Sequence, residues 1–277
     1  MIYTWKPARG GISEPKRALL EKLHIEVPGP FTTARAAEVL GMPPEPTRAL
    51  LGYLTSRGWL SRIRRGLYTT VPLGAASPSE WREDPWLVAA STFSPCYMGG
   101  WSACEHWDLT EQLFREVVVI TGTPLRTTHR TVQGTPFRLK FVDKAKHFGT
   151  RPVWRGQTKV QVSDPSRTVV DILDDPRLGG GIRQVAEVVE AYFGGDLRND
   201  EQLIDYARRL GNRTVFKRLG YLVETLCISA PNLIARCRAM QSSGLTLLDP
   251  AVRQTGRIVK RWNLRVNVAI QRAEGVH

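Results

Sequence analysis

Between Phe31 and Val71 the spacing of apolar residues changes twice. Thr33 can cap a helix that carries Ala36, Ala37 and Leu40 on one face, and Gly41-Met42-Pro43-Pro44 then supplies residues that cannot continue it. A second helix is expected from about Pro46 to Arg57, with Gly58 as a left-handed stop. At about 100° per residue, Leu50, Leu51 and Leu54 fall within one arc of this helix with Thr47 beside them. The period then shortens. Trp59–Ile63 and Leu67–Val71 are short β-prone runs joined by Arg64-Arg65-Gly66, a hairpin whose glycine suits a positive φ. Helix, turn, helix and basic hairpin is the order of a winged helix-turn-helix.

The polar positions of that segment carry the candidate chemistry. Arg48, Ala49, Gly52 and Ser56 share the outer side of the second helix, which is therefore small, flat and basic. A helix that enters the major groove of duplex DNA benefits from small residues beside an arginine able to reach a base edge or a phosphate. The alternative is a solvated face whose small residues arose by chance. Arg57, Arg62, Arg64 and Arg65 place four further cations in or next to the hairpin, where a wing lies along phosphates or in the minor groove. Arg48, Ala49, Gly52, Arg62, Arg64 and Arg65 are the expected DNA-binding residues.

Elsewhere the pattern predicts a first helix over Pro15–His24, with Ala18, Leu19 and Leu23 toward the core. These helices and the wing complete a DNA-binding domain over 1–75. A linker over 76–85 follows, rich in proline and small residues, and then a larger domain over 86–277. The larger domain opens with a helix over Trp86–Phe93, introduced by Asp84 and Pro85. A mostly small and apolar helical segment runs from Tyr97 to Trp107. Strands are expected at Glu116–Thr121, Arg126–Thr131, Phe137–Val142 and Val160–Val162, and helices at Ser166–Leu173 and Ile182–Phe193. Strand and helix do not alternate as βαβ units, so the class is α+β. From residue 197 the pattern is helical, through DEQLIDYARRL, Thr214–Ile228 and Pro231–Met240, a possible sub-domain that ends in an extended strand from Arg261 to Ile270.

Composition narrows the partner. The 277 residues carry a formal charge of +13, with 11 Lys/Arg against 5 Asp/Glu in residues 1–75, 11 against 8 in 76–160 and 17 against 13 in 161–277. Nearly half of the excess therefore sits on the expected winged helix, and an anionic partner is favoured. No apolar run approaches the roughly 18 residues of a membrane span, and the first residues lack the apolar core of a signal peptide. A cytoplasmic, reduced protein is expected. Cys96, Cys104, Cys227 and Cys237 fit no common zinc-ligand spacing and read as buried thiols.

A search for catalysis finds little. GxxxxGK[ST] is absent, and Gly179-Gly180-Gly181 does not fit GxGxxG and reads as a flexible connection. Glu105-His106 lies among apolar residues on a helix, where a hydrogen-bonded structural histidine is the commoner outcome. Asp164, Asp171, Asp174 and Asp175 cluster around one helix. Asp164 reads more simply as its N-cap, Asp171 as the i,i+4 partner of Arg167, and Asp174-Asp175 as a loop before Pro176. A nuclease would want a matching Lys or Glu on an adjacent strand, and none is evident. No catalytic residue, cofactor or metal is expected. The alternatives are a winged-helix protein with a nuclease-like C-terminal domain, using Asp164 and Asp171 as metal carboxylates, and a plain repressor that binds a small ligand or dimerises.

The order of several segments resembles the AbiEi family of antitoxins of type IV toxin-antitoxin systems, related to abortive infection. The segments are RGWLSRIRRGLYTTVP, YMGGWSACEHWDLTEQ, VVVIT, VSDPSRTVVDILDDPRLGGGIRQVAEVV and LLDPAVRQTGRIVKRWNLRVNV. Ser166 departs from the acidic residue usual in the DPERT-like segment. The resemblance implies a bifunctional, non-enzymatic protein. Its N-terminal domain represses its own operon at inverted repeats, and its C-terminal region neutralises a co-encoded nucleotidyltransferase toxin without a stable complex.

Overall fold

The computed structural model describes residues 11–75 and 80–270, so the expected linker falls partly outside the described residues, at 76–79. The chain divides into two compact units. One holds residues 1–94, 129–137 and 153–160, and the other holds 95–128, 138–152 and 161–277.

The first unit begins with α1 (Glu14–Glu26), in which Leu23 is fully buried and Leu19 and Leu20 pack beside it. Ala18, expected in the core, is exposed. With Leu23 at the centre of the buried face, positions three and four residues earlier share that face, whereas the fifth points away. A two-residue strand β1 (Phe31–Thr32) leads directly into α2 (Thr33–Leu40), which buries Ala36, Val39 and Leu40 and ends at Gly41 with φ 65°. The cap of α2 is Thr32, not Thr33: its side chain accepts from the Arg35 amide at 3.2 Å, while the Thr33 amide donates to the Gly66 carbonyl at 3.2 Å. α3 (Pro44–Ser56) starts two residues before the expected Pro46, because Pro44 takes the first helical position, where the absent N–H costs nothing. Thr47, Leu50, Leu51 and Leu54 are its buried residues, and Gly58 follows with φ 77°.

Strands β2 (Leu60–Arg64) and β3 (Leu67–Thr70) form the hairpin, and β1 adds to β3 with Phe31 opposite Tyr68. The sheet order is β1-β3-β2. Leu23, Leu51 and Leu54 at 0% exposure and Phe31 and Leu60 at 2% anchor the core of this winged helix. Each buried side chain of this size contributes about 1.5–3 kcal/mol. α4 (Pro85–Thr92) closes the continuous part of the unit, capped as expected by Asp84, which accepts from the Trp86 and Leu87 amides at 2.7 and 3.3 Å.

The larger sheet comprises β4 (Cys96–Met98), β5 (Val117–Thr121), β6 (His129–Val132), β7 (Thr135–Phe141), β8 (Thr150–Arg155) and β9 (Thr158–Ser163) in the order β6-β7-β5-β4-β9-β8. β4 is antiparallel to β5, with Tyr97 opposite Ile120, and parallel to β9, with Met98 opposite Val162. The expected helical run from Tyr97 to Trp107 is thus split. Its first residues are a buried strand, and only α5 (Gly100–His106) is helical. Gly100 makes the corner, with φ 53° and a position where a Cβ would sit 2.5 Å from the Leu178 carbonyl oxygen. β8 was not expected. Pro152 interrupts its pattern, and the end of a sheet is where a strand tolerates proline.

α6 (Pro165–Asp174) is buried from Pro165 to Leu173 and packs against α7 (Ile182–Gly194), α8 (Asp200–Leu210) and α9 (Thr214–Thr225), while α10 (Pro231–Met240) packs on α9 and α8. Val169, Val189, Leu203, Leu219 and Leu222 lie at the centre of their shared core. A small sheet, β10 (Thr246–Leu247), β11 (Arg257–Val259) and β12 (Leu264–Val266) in the order β10-β12-β11, ends the described chain. The continuous strand expected over Arg261–Ile270 is broken because Lys260–Trp262 is a 3-10 turn that buries Trp262. Cys96 is half-buried and Cys104 and Cys237 are buried, but Cys227 is exposed, since it follows α9 in a left-handed conformation at φ 55°.

Candidate nucleic-acid interface

The face of α3 away from Leu51 and Leu54 is set by helical geometry. Arg48, Ala49, Gly52 and Ser56 are all exposed. A Cβ added at Gly52 would meet nothing within 4 Å, so the face is open as well as small. Arg48 is tethered to its own helix, its Nη1 donating to Glu45 three residues earlier, with side-chain exposures of 59% and 80%. Arg35 on α2 makes the equivalent pair with Glu38 at 2.8 Å. Neither pair was read from the sequence, although i,i+3 spacing of opposite charges is the signal for both.

In the wing, a bulge in β2 interrupts the pairing between Arg62 and Arg64, opposite Tyr68 and Leu67. The bulge increases local twist, Ile63 stays buried, and Arg62, Arg64 and Arg65 are all exposed. Gly66 turns the tip at φ 77°. The Thr33–Gly66 hydrogen bond ties this tip to the first turn of α2, so the wing and the helix pair are positioned by the same backbone contact. Gln133, in the turn before β7, braces the opposite end of β2. Its Nε2 donates to Ser61 Oγ at 2.9 Å, and its Oε1 accepts from the Glu83 amide at 3.4 Å. Glu83 in turn accepts from Thr69.

The residues weighed for catalysis have other partners. Asp164 caps α6, accepting from the Arg167 amide at 2.8 Å and from the Tyr206 hydroxyl at 2.8 Å. Asp171 pairs with Arg167 Nε at 2.9 Å and accepts from the Tyr97 hydroxyl at 3.0 Å, and both members of the pair are buried. Burial raises the Asp171 carboxyl above its ordinary value, against the opposing charge of Arg167. Asp174 ends α6 and accepts from Lys140 on β7 and from Asn212, so the structure does bring a strand lysine to this cluster. Asp175 accepts from Arg177, and Arg177 holds it below the usual carboxylate range against the effect of burial. Among the described residues no three His, Cys, Asp or Glu side chains are grouped to hold a metal. Gly180 and Gly181 turn the chain into α7 at φ 81° and 97°, and Asp249 accepts from the Ile182 amide at 2.9 Å and so occupies the start of that helix. Ser166 is buried and hydrogen-bonded to the Tyr192 hydroxyl at 2.8 Å. His106 lies edge-on to Trp107. Among the described residues no helix is long and apolar enough to cross a membrane.

No curated protein matches the sequence. Among solved structures, the chain is similar to the RV2827C protein from Mycobacterium tuberculosis. The TM-score is 0.59 at 17% identity, over 93% of this chain and 94% of that one, a likeness of fold. The family described as "Transcriptional regulator, AbiEi antitoxin" matches residues 18–71, which are the helices and wing described above. The likeness to the AbiEi antitoxin family of transcriptional regulators thus lies in the winged-helix segment of this chain.

Proposed function

We propose that the protein is an autorepressor that binds inverted repeats in its own promoter through α3 and the wing, and that it is also the antitoxin to a co-encoded nucleotidyltransferase toxin. The observation that carries the DNA-binding half is the joint exposure of Arg48, Ala49 and Gly52 on α3 and of Arg62, Arg64 and Arg65 on a wing tied to α2 through Thr33 and Gly66. Ala49 and Gly52 let the helix backbone approach the groove floor, Arg48 reads a base edge, and the wing arginines neutralise phosphates. The protein works in the cytoplasm and has no catalytic activity of its own. That reading is supported by Asp164, Asp171 and Asp175, which already accept hydrogen bonds or ion pairs from their own surroundings.

The antitoxic half rests on family likeness, is assigned to residues 86–277, and does not require a stable complex with the toxin. Its test uses full-length variants. A fragment ending at residue 75 would lack Gln133, which braces Ser61, and Thr158, whose Oγ1 donates to the Pro28 carbonyl at 3.1 Å. Cells expressing the neighbouring toxin from an independent promoter should be rescued equally by the wild-type chain and by an Arg48→Ala/Arg64→Ala/Arg65→Ala variant that no longer represses the promoter. Loss of rescue with repression, at matched protein levels, would contradict the division of labour.

A further inference from the structure

Between Asp249 and Glu274 the sequence carries no acidic residue, yet Arg253, Arg257, Lys260, Arg261 and Arg265 fall within it, before Ile270. The structure folds this stretch into β11, the 3-10 turn and β12. Arg253, Arg257 and Lys260 are exposed, and Arg265 is half-buried opposite exposed Ile258. Arg261 pairs with Glu224 at 2.6 Å, and no ion pair engages the other four among the described residues.

The ribbon is held in place by its uncharged residues. Trp262 is fully buried against Gly220, where a Cβ would sit 2.0 Å from the ring, and its Nε1 donates to Glu224 Oε2 at 2.6 Å. Asn267 donates from one Nδ2 to the carbonyls of Asp249, Val252 and Arg253 at 2.7, 3.3 and 3.2 Å, which fixes the loop that carries Arg253. The Leu248 amide donates to the Arg265 carbonyl at 2.9 Å. Cations on a braced backbone lose less freedom on binding than cations on a loose tail. A two-stranded ribbon is also a shape that nucleic-acid grooves admit.

We infer that the β11–β12 ribbon is a second, sequence-independent contact for the phosphodiester backbone of nucleic acid, made by the exposed Arg253, Arg257 and Lys260. It rests on the proposed DNA binding only for the choice of duplex DNA as the first polymer to test. Each neutralised phosphate releases counterions, so the ribbon contributes to the dependence of affinity on salt and not to base preference.

The experiment compares full-length wild type, Arg253→Gln/Arg257→Gln/Lys260→Gln, Arg64→Ala/Arg65→Ala and the combination. Each is titrated by fluorescence anisotropy over a range of salt, against a random-sequence DNA duplex and against single-stranded RNA of random sequence. The ribbon triple variant should lower the magnitude of the log–log salt slope by about two to three units on the duplex, and by somewhat less on RNA if RNA is bound. This loss should add to that of the wing variant. Thermal unfolding of the triple variant should match wild type, and the single Arg257→Gln and Lys260→Gln variants should each lower the slope by just under about one unit. A lowered slope on RNA alone would make RNA the ligand of the ribbon. A lowered slope in the ribbon variant with none in the wing variant would leave the ribbon standing and remove the winged helix from the interface. Unchanged slopes with both polymers in a folded ribbon variant would overturn the inference, and retention of an acidic protein by the same surface would not rescue it.

Discussion

Arg48 and Glu45 form an ion pair on the open face of α3, and this pair sets what each substitution should do. With side chains 59% and 80% exposed, the pair is screened by solvent and contributes about 0.2–0.5 kcal/mol. A bidentate arginine–guanine contact discriminates against a wrong base by about 1–3 kcal/mol. Releasing Arg48 from Glu45 on the way to DNA therefore costs a minor part of what the base contact returns. Arg48→Ala should weaken binding to the promoter repeat by about 5- to 150-fold, which is that energy converted at about 1.4 kcal/mol per decade. Binding to random duplex should change little. Glu45→Gln should act the other way and tighten both complexes modestly and alike, because it removes a carboxylate from the groove face and frees the guanidinium. Glu45 also sits in the first turn of α3, where a negative charge suits the helix dipole, so the same variant should melt slightly earlier. The assay is competition anisotropy with labelled promoter duplex against unlabelled random duplex at fixed salt. Equal losses on the two duplexes for Arg48→Ala would reduce Arg48 to a phosphate contact. A selective loss of promoter binding in Glu45→Gln would refute the idea that the pair merely competes with DNA.

Three further outcomes concern the larger unit. Asp171→Asn leaves the fully buried Arg167 guanidinium without its charge partner and should cost about 3–5 kcal/mol in urea unfolding; a loss below about 1 kcal/mol would mean the site relaxes or hydrates. His147 lies edge-on to the Tyr97 ring at 5.2 Å, and burial lowers its pKa from the ordinary 6.5, so the fold favours the neutral ring. A depressed folded-state value contributes stability above the unfolded-state pKa that is lost as pH falls through the folded-state value; unfolding free energies near about pH 7.5 and about pH 5.5 should fall less on acidification in His147→Gln than in wild type, and an identical fall would exclude His147. Gly220→Ala would drive a Cβ to within 2.0 Å of the Trp262 ring and should lower the denaturation midpoint by about 1–3 kcal/mol equivalent, with a shifted tryptophan emission; an unchanged midpoint would show that the ribbon repacks freely.

The winged helix was legible because its signals are local. Leu50, Leu51 and Leu54 mark one arc of α3, Gly58 and Gly66 sit where φ is positive, and Arg62, Arg64 and Arg65 have nowhere to go but solvent. The caps of α4 and α6 were legible for the same reason, since Asp84 and Asp164 each stand just before a proline. What escaped depends on partners far away in sequence. β4 looked like part of a helix because Tyr97 and Met98, consecutive residues that point to opposite faces of an inner strand, are both buried, which leaves no alternation to read. Thr32 replaces Thr33 as cap because Gly66 claims the Thr33 amide, and the strand over Arg261–Ile270 is broken by a cavity at Gly220 shaped for Trp262. Cys227 was misjudged by composition: cysteine is usually buried, but this one follows the last turn of α9.

The central claim is that Arg64 and Arg65 on the wing, together with Arg48 on α3, hold the protein on duplex DNA. Affinity of the full-length chain for its own promoter, measured across a range of salt with and without Arg64→Ala/Arg65→Ala, tests this most directly. A slope lower by about one to two units, with weaker binding to promoter and random duplex alike, is the expected result. An unchanged slope and unchanged affinity in a folded variant would contradict it, because arginines that touch phosphate cannot be removed without giving up the counterions they release.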